Sequence, residues 1–130
     1  MNVSGKRKSA IARVTYKKGS GKLRINSLPL ERFAQPMYAL RISEPLLIAE
    51  SVAKKLDISV SVSGGGMAGQ ADAIRLALGK ALVEASGKAE VEQALEEYDR
   101  TLLVADVRRK EKRKPNTAGK ARSKTQKSYR

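Results

Sequence analysis

The sequence predicts an α+β or α/β two-layer sandwich, with helices packed against one sheet in the order β-β-α-β-α-α-β, followed by an extended basic tail. Three observations predict it. Before residue 64, apolar and polar residues alternate with a period of two in three short stretches. Between residues 68 and 98 the apolar residues recur at helical spacing instead. Beyond Val107 no large apolar residue follows except Tyr129, which divides a core-forming body, residues 1–107, from a tail, residues 108–130. At 130 residues and 14.1 kDa the chain makes one domain, burying about two thirds of the surface its unfolded form exposes.

The first pair of strands is expected to be a hairpin. Ala10, Ala12, Val14 and Tyr16 alternate with Ile11, Arg13, Thr15 and Lys17; after Lys18-Gly19-Ser20-Gly21, Leu23 and Ile25 alternate with Lys22, Arg24 and Asn26. Gly19 and Gly21 permit the positive φ that hairpin loops often require. One helical turn is expected between Pro29 and Ala34. Ser43 suits an N-cap, with Glu44 and Pro45 in the first turn of a helix that reaches about Lys55 and buries Leu47, Ile48 and Val52. Asp57 to Ser63 is the clearest strand, with Ile58, Val60 and Val62 inward. A helix from about Ala68 to Ala85 presents Ile74, Leu78, Leu82 and Ala85 along one face and ends at Gly87. A second, from Ala89 to Tyr98, buries Val91, Leu95 and Tyr98 and shows Glu90, Glu92, Glu96 and Glu97 to water. Thr101 to Val107 reads as a last short strand.

Composition narrows the function. The net charge is +14 with a pI near 10.3, which favours a polyanionic partner, either nucleic acid or an acidic membrane surface. Residues 1–43 carry ten basic residues against Glu31, residues 44–107 six against eleven acidic, and residues 108–130 eleven against Glu111, for net charges of +9, −5 and +10. An acidic middle between two basic ends suggests a folded body held by polyanion at both ends. With no His and no Cys there is no imidazole base, thiolate, disulfide or zinc site of the usual kind, and no cofactor or metal is expected. MNVSGKRKSA has no apolar secretion core, and no apolar run reaches the roughly 18 residues of a membrane span, so a cytoplasmic location without membrane contact is expected.

Gly64-x-Gly66-x-x-Gly69 matches the dinucleotide fingerprint literally, but the acidic residue expected about 20 positions later falls among helices, so the ribose-binding half is missing. Gly64-x4-Gly69 also has phosphate-loop spacing, yet Gln70-Ala71 stands where Lys-Ser/Thr must reach the phosphates. Two readings of the turn remain. Its glycines let strand and helix pack closely, or they let backbone N–H groups at the positive end of the helix dipole meet a phosphate of RNA, with Gln70 and Arg75 as added donors.

The tail, rich in Lys, Arg, Ser, Thr and Gly, buries too little to offset its ordering entropy, so it is expected to be disordered when free. Extended, its 23 residues span on the order of 70 Å. Its arginines suit bidentate phosphate contact and stacking on unpaired bases. Glu96, Glu97 and Asp99 read as a solvated helix face rather than an acid/base pair. Asp106 is expected to pair with Arg108 or Arg109 and fix the tail's exit.

Four separated segments carry a resemblance: Gly5-Lys6-Arg7-Lys8-Ser9-Ala10-Ile11-Ala12-Arg13-Val14; Gly64-Gly65-Gly66-x-x-Gly69-Gln70-x-x-Ala73-Ile74-Arg75-x4-Lys80-Ala81-Leu82; Asp106-x-Arg108-x-x-Glu111-x-x-Lys114; and Ala121-Arg122-x3-Gln126-x-Ser128-x-Arg130. In order and over nearly the whole chain, the sequence resembles the small-subunit ribosomal protein nine family. The resemblance implies the fold named after the second domain of ribosomal protein five, with a left-handed βαβ crossover against the usual rule. It also implies a place in the head of the small ribosomal subunit, beside neighbouring ribosomal proteins. There the protein binds small-subunit ribosomal RNA, and its tail reaches the transfer RNA in the peptidyl site. The ribosomal-RNA contacts expected are Lys6, Arg7, Lys8 and Arg13 near the N-terminus; Gly64, Gly65, Gly66, Gln70 and Arg75 at the glycine turn; and Arg108, Arg109, Lys110, Lys112, Arg113, Lys114, Lys120, Arg122 and Lys124 in the tail. Lys127, Ser128 and Arg130 are the expected transfer-RNA contacts. The ending Lys-Ser-Tyr-Arg and the segment Thr-Leu-Leu-Val-Ala-Asp resemble the archaeal and eukaryotic branch, and the short N-terminus favours an archaeon. Val107 and Tyr129 depart from residues common in the family. Two other classes are kept as alternatives: a DNA-compacting basic protein, and a small phosphotransferase of the shared fold, which would lack a catalytic lysine in its glycine loop.

Overall fold

A computed structural model of the chain describes residues 1–123. Five strands, β1 (Asn2–Arg7), β2 (Ala10–Lys18), β3 (Leu23–Ile25), β4 (Leu28–Pro29) and β5 (Leu56–Ser63), form one mixed sheet in the order β1-β2-β5-β3-β4. The helices are α1 (Leu30–Phe33), α2 (Pro36–Ile48), α3 (Glu50–Ala53), α4 (Met67–Ser86) and α5 (Ala89–Tyr98), with a 3-10 turn at Arg100–Leu102. The mixed α+β class is the one expected from the sequence.

The anticipated hairpin is corrected. β2 and β3 are not neighbours, because β5 lies between them, antiparallel to β2 and parallel to β3. The link that was to be a hairpin loop instead crosses the end of β5, where the backbone N–H groups of Ser20 and Lys22 donate to Asp57 Oδ1 at 2.8 and 3.2 Å. Those donors hold the Asp57 carboxyl below its usual range. Of the two loop glycines only Gly21 has a positive φ, +85°. The true hairpin partner of β2 is β1, which carries almost no apolar signal because its fully buried position is a glycine. A Cβ at Gly5 would lie 2.4 Å from the Ala73 carbonyl oxygen of α4, so only glycine admits this approach of helix to sheet.

α4 is the central helix. Ile74, Leu78 and Leu82 are fully buried against Ala12, Val14 and Val60 of the sheet, and its flank meets α2. α2 begins at Pro36 rather than Ser43, with proline in the first turn where its missing N–H costs nothing. Ser43 therefore sits mid-helix and donates its Oγ to the Ala39 carbonyl at 2.8 Å. The earlier start sets a different phase: Ile42, Pro45 and Ala49 face the core and Leu47 is exposed. On α5, Leu95 is buried as expected, but Tyr98 is exposed. The expected last strand is absent. Asp99 Oδ1 accepts the Thr101 N–H at 2.8 Å and starts a 3-10 turn, and Leu102 docks on α4 at Gly79 instead of joining the sheet. Residues 103–123 contain no helix or strand.

Candidate nucleic-acid interface

Three segments that are distant in sequence meet at one end of α4. The first is the two-residue loop Lys8–Ser9 between β1 and β2, where Lys8 takes φ +53°, uncommon for a residue with a side chain. The second is the glycine turn from β5 into α4. The third is the root of the tail, Asp106 to Lys110. Shallow clefts join them: Arg7, Lys8 and Ser9 line one with Gly65, Gly66 and Gly69, and another with Arg108, Arg109 and Lys110.

The glycine turn resolves into two kinds of glycine. Gly64 and Gly65 have φ of +77° and +67°, and a Cβ would lie 2.5 Å from Ser9 O of the Lys8–Ser9 loop for Gly64 and 3.1 Å from Ala10 Cβ at the start of β2 for Gly65. These two are required by packing and conformation. Gly66 differs: its φ and ψ of −110° and 176° suit any residue, and a Cβ there would meet nothing within 4 Å. It is the N-cap of α4 and supplies no side chain to the first-turn N–H groups, which face an exposed rim. Gln70 does not reach outward, since its Nε2 donates to the Gly64 carbonyl at 3.1 Å and braces the turn.

Arg75 is corrected more strongly. It is 6% exposed, and its guanidinium lies 2.5 Å from Glu44 on α2 and donates at 3.0 Å to both Asp99 Oδ2 and Thr101 Oγ1. It ties α2, α4 and the 3-10 turn together and is withdrawn from the glycine turn. Burial alone would raise the Asp99 carboxyl, but the N–H and hydroxyl of Thr101 together with Arg75 bring it below its usual range.

The tail's exit is fixed by charge. Asp106 receives Arg108 through Nε at 2.9 Å, Nη2 at 2.6 Å and the backbone N–H at 2.9 Å, and lies 3.2 Å from Arg7 Nη2. The Arg108 bonds, with Arg7 behind them, hold the Asp106 carboxyl far below the usual carboxylate range. Arg7 also faces Asp72 at 3.8 Å, which Arg41 of α2 approaches at 3.3 Å. Of the two partners expected for Asp106, Arg108 or Arg109, it is Arg108 that pairs with it, and Arg7 adds a link to β1 that spacing in the sequence did not suggest. Farther along, Glu111 accepts a bidentate contact from Arg122 at 2.9 and 3.0 Å, closing a turn in which Thr117 Oγ donates to the Lys114 and Lys120 carbonyls. Arg122 is thus partnered within the tail, whereas Arg109, Lys110, Lys112, Arg113, Lys114 and Lys120 are exposed. Lys6 lies beside Arg7 on β1, and Arg13 is on the sheet face away from α4. Lys124, Lys127, Ser128 and Arg130 lie outside the described residues.

Arg41 and Asp72 were not singled out from the sequence, and Ser9 entered only as part of the first resembling segment; they matter because α2 and the β1–β2 loop converge on α4. The glycine turn is followed by two helices, α4 and α5, with no strand after them among the described residues, which removes the dinucleotide reading. Among the described residues, no helix is long and apolar enough to cross a membrane.

Comparison with known proteins gives the family. The family model described as ribosomal protein S9/S16 matches residues 5–130. Small ribosomal subunit protein uS9 of Methanothrix thermoacetophila is 48% identical over 130 residues, covering 100% of this chain and 98% of that protein. The protein of the same description from Thermoplasma acidophilum is 50% identical over 130 residues, covering all of both. That of Methanococcus maripaludis is 49% identical over 127 residues, covering 97% of this chain and 95% of the relative.

Proposed function

The chain belongs to the ribosomal protein S9/S16 family, and from that premise we propose that it is a structural constituent of the small ribosomal subunit. In this reading it binds small-subunit RNA in the subunit head and extends its tail to the transfer RNA in the peptidyl site. The observation that carries the proposal is full-length identity near one half to archaeal proteins named small ribosomal subunit protein uS9. The geometry supports it. Lys8 lines one cleft with the uncapped helix N-terminus at Gly66 and an adjoining one with Arg108, Arg109 and Lys110, so phosphate oxygens find backbone donors and cations at the same end of α4. Neighbouring ribosomal proteins are the remaining partners, and the ribosome in the cytoplasm is the location.

Lys127, Ser128 and Arg130 are the proposed transfer-RNA contacts. A terminal cation used only for bulk neutralisation changes the salt slope by less than about one unit when removed; one that reaches a functional site affects that site selectively. The test is co-sedimentation of the tagged chain with small subunits at moderate salt, with Arg130→Glu compared with Lys112→Glu. The parent and both variants are expected to enter subunits. Arg130→Glu alone should weaken transfer-RNA occupancy of the peptidyl site. Absence of the parent chain from small subunits would refute the assignment, and equal effects from the two variants would refute the role of Arg130.

A further inference from the structure

The sheet face turned away from α4 is uncovered, and the strand registers place its side chains in rows. Asn2, Thr15, Ser59 and Arg24 are cross-strand neighbours over β1, β2, β5 and β3, and Ser4, Arg13 and Ser61 form the adjoining row. Lys17 continues the face on β2, opposite Asp57. Asn2, Ser4, Arg13, Thr15, Lys17, Arg24, Ser59 and Ser61 are all exposed.

Two features set this face apart from an ordinary solvated one. Its charge is predominantly positive, and Arg13, Lys17 and Arg24 form no ion pair among the described residues. Its one acid, Asp57, already accepts the Ser20 and Lys22 N–H groups. A surface kept soluble by charge alone gains from opposite charges across neighbouring strands, and here the positions beside the arginines hold short hydroxyl side chains. The result is a low floor of serine and threonine from which two arginines rise, on β2 and β3 with β5 between them and one row apart, roughly 12 Å from each other at ordinary strand spacing and rise. Guanidinium forks match phosphate oxygens, and hydroxyls pair with ribose 2′-OH groups or phosphate.

We propose that this open sheet face is a second RNA-binding surface, separate from the glycine turn, on which a sugar-phosphate backbone lies across β2, β5 and β3 and is held by Arg13 and Arg24. The inference rests on the reading of the chain as a small-subunit RNA-binding protein and adds the face and residues of contact. A protein partner is the competing occupant, but an unpaired cationic floor without apolar anchors complements phosphate better than it complements a protein interface core.

The experiment uses the full chain and transcribed small-subunit RNA, with binding measured across a salt series. The Arg13→Gln/Arg24→Gln variant is compared with the parent and with Lys55→Gln/Lys88→Gln, which removes equal charge elsewhere. Thermal unfolding verifies that each variant keeps its fold. The expected result is affinity at least about tenfold weaker at 0.1 M salt and a salt slope shallower by about two units for the sheet-face variant only. If the parent binds and both double variants bind alike, the inference falls while the functional reading stands. Unchanged RNA affinity combined with lost entry into subunits identifies a protein on this face and also overturns it. A parent that does not bind the RNA refutes the functional reading and this inference with it.

Discussion

Replacing Arg75 separates structural from RNA-binding roles at the position where sequence and structure disagree most. The Arg75 side chain is 8% exposed and is shared by Glu44 and Asp99, which keep 30% and 35% of their side-chain surface. Removing one partner of a fully buried ion pair costs about 3–5 kcal/mol. Because both carboxylates retain some contact with water, the expected cost of Arg75→Met is lower, about 2–3 kcal/mol. For a body of this size each kcal/mol moves Tm by about 4–8 °C, so the variant should melt roughly 10–20 °C below the parent. Arg75→Lys should fall between them, since one ammonium cannot span Glu44, Asp99 and Thr101 as the planar guanidinium does. Thermal and urea unfolding of the free protein give the stability. RNA affinity, measured at a temperature where every variant is folded, should stay within about threefold of the parent, a difference below about 1 kcal/mol. An unchanged Tm with strongly reduced RNA affinity would refute the reasoning and return Arg75 to the interface.

Two further outcomes test the turn and the tail root. Gly66→Ser gives α4 an N-cap hydroxyl, so stability should hold or rise by a few tenths of a kcal/mol; RNA affinity should drop about tenfold as the new oxygen occupies N–H groups meant for phosphate, and unchanged affinity would reduce the turn to packing. Gly65→Ala is the contrasting case, expected to lose about 1–2 kcal/mol of stability because its φ is +67°, with urea unfolding as the measure. For Asp106, whose carboxyl is held down chiefly by the Arg108 hydrogen bonds, the stabilising contribution is complete above the unfolded value of about 3.9 and is lost only as pH falls through the depressed folded value. A carboxyl-carbon NMR titration should therefore show a midpoint well below that of an ordinary aspartate, and Arg108→Gln should raise it; a midpoint at or above about 3.9 would mean the clasp does not hold in solution.

The sequence by itself determined those features that depend on local periodicity and composition. The inward set Ala10, Ala12, Val14 and Tyr16, the strand through Ile58, Val60 and Val62, the long helix with Ile74, Leu78 and Leu82, and its Gly87 stop all follow from side-chain spacing and backbone freedom within one element. The basic ends are similarly local, and so is the clasp on Asp106, whose partner the sequence narrowed to Arg108 or Arg109 and the structure shows to be Arg108. Tertiary structure decided whatever depends on which distant segments meet. Strand β1 was illegible because its buried residue is Gly5, whose importance lies in the Ala73 carbonyl opposite it. The insertion of β5 between β2 and β3 could not be read from alternation, which fixes the face a side chain takes but not the strand it pairs with. Arg75 looked like a phosphate donor because it follows a glycine turn, yet its environment is set by Glu44 and Asp99, 31 residues before it and 24 after. The same physics divides the glycines: φ and neighbouring atoms bind Gly64 and Gly65 to the fold, while Gly66 meets only open space, a distinction that exists once the Lys8–Ser9 loop has folded beside them.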